Sequence, residues 1–239
     1  MRIDFSGRHV VVTGGTGALG SAVVRMLVEA GATCSVPSLS QAEVDRSGLA
    51  ADPRVHIAVG MDLTDEAAVE RFYGEAAERA GTAGLWASVQ VAGGFAMGPI
   101  EQVSGEQFLD QVRMNALTCF LCCREAVKRM GTGGGRIVNV AARPALEPRL
   151  GAGMVAYTAS KAAVAAITQA LAEEVVVRGI LVNAVVPSIM DTPANRKAMP
   201  DAYHAKWAKV EDVAATVCFL ASPQNTVTRG GLVPVYGVS

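Results

Sequence analysis

Short apolar runs alternate along the chain with longer stretches in which apolar residues recur every three or four positions. The first unit is the run 9–12, a glycine-containing turn, and an amphipathic stretch over 21–30 that ends at Gly31. Short runs of this kind are typical of buried strands, and the periodic stretches are typical of helices packed on them. The pattern predicts a strand, a glycine turn and a helix, with Gly31 ending the helix.

The same alternation continues to the last residues. It predicts further strands near 33–36, 55–59, 85–91, 136–140, 181–186 and 232–236, and helices near 65–80, 104–130, 155–178 and 210–221. About seven parallel strands with right-handed crossover helices form a doubly wound α/β sheet with helices on both faces. At 239 residues the chain is expected to be a single domain, 1–239. The polar, proline-containing stretch 187–209 is expected to be a mobile lid over the carboxyl ends of the strands.

Composition and charge exclude several classes of protein. The chain has 21 Lys and Arg against 22 Asp and Glu, a net charge of −1, which argues against a nucleic-acid partner. No segment has the length and apolarity of a signal peptide or a membrane span, so a cytoplasmic protein with no membrane partner is expected. The five cysteines are an odd number without disulfide-like spacing, which favours a reducing compartment. Cys119, Cys122 and Cys123 have no second ligand cluster, so we expect buried small side chains and no metal site.

Glycines mark the turn between the first strand and the first helix. Gly14, Gly17 and Gly20 allow a tight turn and a close approach of a pyrophosphate to the helix N-terminus. This context predicts dinucleotide binding. Asp62, after the strand 55–59, is placed to meet an adenine amino group, although it also fits a helix cap or a loop acid.

The end of the second strand leaves the cofactor open. A carboxylate there would bind the ribose 2′-hydroxyl, whereas an arginine would favour a 2′-phosphate. The chain has Ser38 at this place, and Arg46 lies too far along the sequence to decide the matter. NAD(H) and NADP(H) both remain candidates.

Tyr157 and Lys161 are spaced to share one face of a helix. A phenol with a pKa near 10 is a weak acid at neutral pH, and a neighbouring cation lowers that pKa by stabilising the phenolate. The pair therefore predicts proton donation to a substrate that receives a hydride.

These motifs, with 92–94, Asn115 and the turn at Pro187, together resemble the short-chain dehydrogenase/reductase family over nearly the whole chain. The resemblance implies a Rossmann-like sheet and a nicotinamide cofactor. It also implies that Tyr157 is the general acid or base, that Lys161 lowers its pKa and holds the nicotinamide ribose, and that Asn115 supports a water relay to Lys161. The residues then expected to contact the cofactor are Gly14, Thr16, Gly17, Ala18, Leu19, Gly20, Ser38, Asp62, Leu63, Ala92, Gly93, Gly94, Tyr157, Lys161, Pro187, Ile189 and Thr192.

The chain departs from the family pattern in three places. Ala18 replaces a glycine of the first turn, and it is small enough to preserve the packing. The sequence 90–93 is Gln-Val-Ala-Gly instead of Asn-Asn-Ala-Gly, which is expected to remove an amide that ties neighbouring strands. After the fifth strand, Ala141 and Ala142 stand where the family has a carbonyl-polarising serine, and no Ser or Thr follows before Thr158.

The missing serine leaves two hypotheses. The chain is a non-catalytic nucleotide-binding scaffold or sensor, or it is an NAD(P)H-dependent oxidoreductase that transfers hydride to a carbonyl or to an already activated quinonoid or imine substrate. The segments 91–95 and 191–202, followed by Trp207, resemble dihydropteridine reductase, a branch of the family that also lacks the serine. Trp207 and Phe95 then either stack on a planar substrate or pack within the lid. The long helices near 104–130 and 155–178 are rich in small apolar residues and expose more apolar surface than one sheet face covers. In the family that the chain resembles, such helices pair across a two-fold axis, so the resemblance implies a homodimer or homotetramer.

Overall fold

A central parallel sheet organises the chain, which a computed structural model describes from residue 3 to residue 238. The strands are β1 (His9–Thr13), β2 (Thr33–Ser38), β3 (Val55–Val59), β4 (Ala87–Gln90), β5 (Gly135–Val140), β6 (Ile180–Pro187), β7 (Met190–Asp191), β8 (Ala208–Lys209) and β9 (Leu232–Val235). Seven of them form one parallel sheet in the order β3-β2-β1-β4-β5-β6-β9, and β7 pairs with β8. The predicted doubly wound α/β fold is confirmed.

Helices cover both faces of this sheet. They are α1 (Ala18–Glu29), α2 (Gln41–Ser47), α3 (Glu66–Ala80), α4 (Gly105–Gln111), α5 (Thr118–Arg129), α6 (Arg143–Leu146), α7 (Val155–Val175), α8 (Pro193–Ala198) and α9 (Val210–Ala221). Successive side chains of a strand point to opposite faces. Val10 and Val12 accordingly pack with α1 and α9, whereas Val11 packs with α3, α5 and α7.

The predicted helix 104–130 is interrupted. α4 passes into a π-helical segment, Val112–Leu117, before α5 begins. Such π-helical turns place an extra residue in the helix and are frequent at functional sites. The short helices α2, α6 and α8 were not predicted, because 4 to 7 residues are too few to show helical periodicity.

The stretch 187–209 is more regular than its sequence predicts. Thr192 caps α8 by accepting a hydrogen bond from the Asn195 amide, and Arg196 forms an ion pair with Asp191 at 2.6 Å. Trp207 is only 7% exposed. Its ring lies 4.4 Å from that of His204, so Trp207 packs within this segment. That residues 187–209 act as a lid stays a prediction. Within residues 3–238, no helix combines the length and apolarity needed to cross a membrane.

The strand order reverses between β1 and β4. The chain runs outward from β1 to β3 on one side and from β4 to β9 on the other, so the loops that leave β1 and β4 diverge. Ligands of doubly wound sheets bind in the crevice that this divergence opens at the carboxyl ends of the strands.

The turn from β1 to α1 depends on the absence of side chains. Gly14 has a φ of +62°, which favours glycine, and a Cβ on Gly20 would lie 2.1 Å from the Gly14 carbonyl oxygen. Gly17, by contrast, has a φ of −79°, and a Cβ there would lie 3.3 Å from the same oxygen. Ala18 is exposed, which explains why a methyl group is accommodated where the family has a glycine.

We expect Gly20→Ala to destabilise the protein more than Gly17→Ala. The first substitution forces the Gly14 backbone to move and should lower the free energy of unfolding by about 1–3 kcal/mol, the usual cost of overpacking. Urea unfolding of both variants measures the difference. Equal losses would show that the close approach of residues 14 and 20 is not required.

Candidate active site

A cavity of about 680 Å³ opens at the carboxyl ends of β1, β2, β3 and β4. Residues from the glycine turn and from the loops that follow β2, β3 and β4 line it. The predicted cofactor residues among them are Gly14, Thr16, Gly17, Ala18, Leu19, Gly20, Ser38, Asp62, Leu63, Ala92 and Gly93. Gly94, Tyr157, Lys161, Pro187, Ile189 and Thr192 are outside this lining, although Met190 is part of it. The cofactor role of all these residues stays a prediction.

Several lining residues were missed from the sequence. Glu43 and Arg46 reach the cavity because α2 folds back over the end of β2, which corrects the expectation that Arg46 lies too far away. The available signal was Ser40 followed three residues later by Glu43, a pattern typical of a helix start. The other residues missed are Pro37, Leu39, Met61, Thr64, Val91, Met114, Thr118 and Met190.

Asp62 is a loop acid at the cavity wall. It lines the cavity, and its Oδ1 accepts hydrogen bonds from the amide of Thr64 at 2.8 Å and from the Thr64 hydroxyl at 2.7 Å. These contacts form a local turn of the kind that Asp side chains favour. Its contact with adenine stays a prediction.

Asn115 connects the loop after β4 to α7. It is 1% exposed and lies in the π-helical segment. Its Oδ1 accepts a hydrogen bond from the Gly94 amide at 3.1 Å, and its Nδ2 donates to the Gly94 carbonyl at 3.0 Å and to Ser160 Oγ at 3.1 Å. The Ser160 hydroxyl in turn donates to the carbonyl of Tyr157 at 2.8 Å. Asn115 therefore fixes the loop after β4 against the helix that carries Tyr157 and Lys161.

Lys161 and Asn115 converge on Gly93. Lys161 Nζ donates to the Val140 carbonyl at 2.8 Å. A Cβ on Gly93 would lie 3.3 Å from Lys161 Nζ and 2.5 Å from Asn115 Oδ1. Because residue 93 is a glycine, the Asn115 amide and the Lys161 ammonium can both lie beside its backbone.

Tyr157 lies one helical turn before Lys161 on α7 and is half-buried. The ring of Phe95 meets it edge-on at 4.9 Å, so Phe95 packs against the predicted acid. Burial raises the pKa of Tyr157 to about 12 and lowers the pKa of Lys161 to about 8. The direction of the Tyr157 pKa shift is opposite to the one predicted, because burial removes solvent from around the phenol. Tyr157 accordingly keeps its proton at neutral pH.

Ala141 and Ala142 follow β5 in different environments. The Ala141 amide donates to the Val185 carbonyl at 3.0 Å, and its side chain belongs to the core that packs on α7. Ala142 precedes α6 in an extended conformation. Thr158 does not replace the missing hydroxyl, because its Oγ1 packs so closely on Gly151 that a Cβ there would lie 2.1 Å away.

The predicted loss of an amide at residues 90–93 is wrong. Gln90 Oε1 accepts a hydrogen bond from the Thr13 hydroxyl at 3.2 Å, and Thr13 Oγ1 accepts one from the Ala92 amide at 3.2 Å. Gln90 Nε2 also donates to Ser88 Oγ at 2.8 Å. The longer glutamine side chain therefore joins the ends of β1 and β4.

Two arginines near the site, Arg143 and Arg196, are held by ion pairs. Arg143 pairs with Glu147 at 3.0 Å, and Arg196 pairs with Asp191 at 2.6 Å. Cys119, Cys122 and Cys123 are buried free thiols, as predicted. No group of three or more His, Cys, Asp and Glu side chains that could hold a metal ion occurs among residues 3–238.

Comparison with known proteins identifies relatives over the whole fold. A family model described as short chain dehydrogenase matches residues 8–202. Galactitol 2-dehydrogenase of Rhizobium johnstonii is 32% identical over 98% of this chain and 95% of the relative. A 2,5-dichloro-2,5-cyclohexadiene-1,4-diol dehydrogenase of Sphingobium indicum is 29% identical over 97% of this chain and 96% of that protein. A short-chain type dehydrogenase/reductase from Mycobacterium ulcerans superposes with a TM-score of 0.89 at 25% identity, over 99% of this chain and 90% of that structure.

Replacement of Lys161 by Met should change how stability depends on pH. Because burial lowers the pKa of Lys161 from 10.5 to about 8, the unfolded chain binds one more proton than the folded chain between these values. Wild-type stability should therefore rise relative to Lys161→Met across this window, by up to about 1.4 kcal/mol per pH unit.

Urea unfolding of both proteins between about pH 7 and pH 10 measures this effect. The matched control is Lys197→Met, since Lys197 is exposed on α8 and should leave the pH dependence of wild type unchanged. Parallel curves for wild type and Lys161→Met would contradict a buried ammonium at residue 161.

Proposed function

Because the chain belongs to the short chain dehydrogenase family, it is an NAD(P)-dependent oxidoreductase, and we propose that it transfers hydride to a carbonyl or to an already activated quinonoid or imine substrate without help from a serine hydroxyl. The observation that carries this proposal is that Asn115 and Lys161 both lie beside Gly93. Lys161 is one helical turn from Tyr157 on α7.

The residues around the cavity fit a dinucleotide. A Cβ on Gly14 would lie 2.7 Å from the Ala92 amide nitrogen, and one on Gly20 would meet the Gly14 carbonyl, so only glycine fits at these two positions of the turn. The N-terminus of α1 follows directly and favours phosphate groups through its amides and its dipole. When bound, the nicotinamide ring supplies or accepts the hydride.

Tyr157 is the proton donor in this proposal. The phenol is protonated at neutral pH, and it can give up its proton where negative charge develops on the substrate. Because burial raises its pKa to about 12 and makes it a weaker acid, the transfer depends on positive charge nearby. Lys161, held by the Val140 carbonyl, supplies positive charge one turn away, and Asn115 fixes α7 through Ser160. Phe95 shields the edge of the Tyr157 ring and contributes to a partly apolar substrate site.

The substrate must compensate for the missing hydroxyl. Loss of one positioned donor at an oxyanion site costs about 10²–10³ in rate. Conjugated quinonoid or imine substrates, including dihydropteridine-like ones, need less polarisation because they are already electrophilic.

A non-catalytic scaffold or sensor is the weaker alternative. Nucleotide binding alone requires the glycine turn and the cavity, but it does not require a buried lysine beside a tyrosine. A buried ammonium costs stability, and Lys161 is 6% exposed. Because nucleotide binding alone would not require this destabilising burial of Lys161, its presence favours a catalytic protein.

We also propose a homo-oligomer of two or four chains. The α4 to α5 region exposes several large apolar side chains, which a partner surface would cover. They are Phe108, Leu109, Met114 and Phe120, with 40%, 43%, 39% and 49% exposure.

Tyr157→Phe should abolish turnover while cofactor binding survives. The substitution removes the proton donor and keeps the ring that packs on Phe95. A loss of kcat of at least about 10²-fold is expected. Fluorescence titration with NADH and NADPH, followed by a panel of ketones, quinones, imines and quinonoid dihydropterin, provides both measurements. Unchanged kcat would rule out the assigned proton donor, and binding without turnover of any substrate by wild type would favour the scaffold.

Ala142→Ser should raise activity on simple ketones more than on quinonoid substrates. The new hydroxyl would polarise an unactivated carbonyl, with a gain of about tenfold or more in kcat/KM. Ala141→Ser is the matched control, because that side chain faces the core on α7. An equal effect of both serines on both substrate classes would argue against a missing polarising group.

A further inference from the structure

We propose that Glu43 makes this site selective for NAD(H) over NADP(H), an inference that rests on the proposed function. The position that usually decides this preference, at the end of β2, holds Ser38, which carries no charge. Glu43 comes from the next helix and lines the same end of the cavity. It supplies a carboxylate that the strand itself lacks.

A hydrogen bond fixes Glu43 toward the end of the strand. The Ser38 hydroxyl donates to Glu43 Oε2 at 3.0 Å. The Ser40 carbonyl is a longer alternative acceptor at 3.2 Å. Ser38 is 3% exposed and Glu43 is half-buried, so both groups are held at the cavity wall and the second carboxylate oxygen is left for a ligand.

The local sequence predicts that Glu43 accepts a hydrogen bond from the Ser40 amide, but the structure shows a different partner. Ser40 and Glu43 have the spacing of a capping box, in which the glutamate would accept a hydrogen bond from the Ser40 amide. Ser40 Oγ does accept from the Glu43 amide, at 3.4 Å, but the carboxylate is bonded to Ser38. The corresponding box of α4 is complete, since Gln107 Oε1 accepts from the Ser104 amide at 2.8 Å. The Glu43 side chain is thus diverted from its helix to the cavity.

A carboxylate at this place discriminates between the two cofactors. It accepts hydrogen bonds from a ribose hydroxyl, and it repels a 2′-phosphate. The strand end contributes no cation, because residues 36–40 are Val-Pro-Ser-Leu-Ser.

Arg46 is the opposing charge, and it lines the same cavity. It is exposed and forms no hydrogen bond or ion pair with another residue in the range 3–238, whereas Glu43 is already positioned by Ser38. Ordering a free arginine side chain around a phosphate costs conformational entropy that the fixed carboxylate does not pay. The balance therefore favours the cofactor without the 2′-phosphate.

The test compares the dissociation constants of NADH and NADPH for wild type, Glu43→Gln and Arg46→Gln by fluorescence titration. Wild type should bind NADH at least about tenfold more tightly than NADPH, which corresponds to the repulsion of one fixed charge. Glu43→Gln keeps a hydrogen-bond acceptor but removes the charge, so it should bind NADPH several-fold more tightly with little change for NADH. Arg46→Gln should keep or increase the preference.

A wild type that prefers NADPH, or a Glu43→Gln variant with an unchanged ratio, would overturn the proposal. Loss of the preference in Arg46→Gln would do the same. If wild type bound neither NADH nor NADPH, the proposed function itself would fail, along with the role of Glu43. If wild type bound both equally well, only the role of Glu43 would fail. Ser38→Ala is a second variant that leaves the carboxylate but removes its support, and it should reduce the preference without abolishing it. Thermal unfolding of each variant confirms that it is folded.

Discussion

The hydrogen bonds among Thr13, Gln90 and Ala92 hold together the two strands at which the sheet order reverses, and the site depends on that junction. The chain leaves β1 and β4 in opposite directions, so no crossover fills the space between their carboxyl ends. The same junction brings Ala92 against Gly14, where a side chain would collide with backbone. The crevice, the phosphate turn and the loop after β4 are therefore consequences of one piece of sheet geometry.

The catalytic candidates depend on a second layer of support. The π-helical segment places Asn115 where its amide reaches both the Gly94 backbone and Ser160. Lys161 is buried at a cost in stability, and its ammonium is satisfied by a backbone carbonyl of β5. These groups are held by main-chain contacts, which position a side chain more firmly than exposed ion pairs do.

Much of this arrangement was predictable from the sequence. The rest was not predictable, because it depends on how the chain folds in space. The apolar runs predicted the sheet, and the spacing of Tyr157 and Lys161 predicted their shared helical face. The contribution of Glu43 and Arg46 was missed because α2 is too short to show periodicity, although tertiary folding brings it to the cavity. The tie between β1 and β4 was misjudged because the reach of Gln90 depends on where Thr13 lies in space. The pKa of Tyr157 was misjudged because spacing reveals a neighbouring charge but not the loss of water around the phenol.

Under the proposed function, the two alanines after β5 would determine how the protein chooses among molecules of similar shape. A site that polarises its substrate can react with any carbonyl that fits, whereas a site that only donates a proton depends on the electrophilicity of the bound molecule. Such a site sorts ligands by their chemical reactivity after they have bound. Under the same proposal, unreactive ketones with the shape of the substrate would occupy the crevice without being consumed, and they would act as competitive inhibitors.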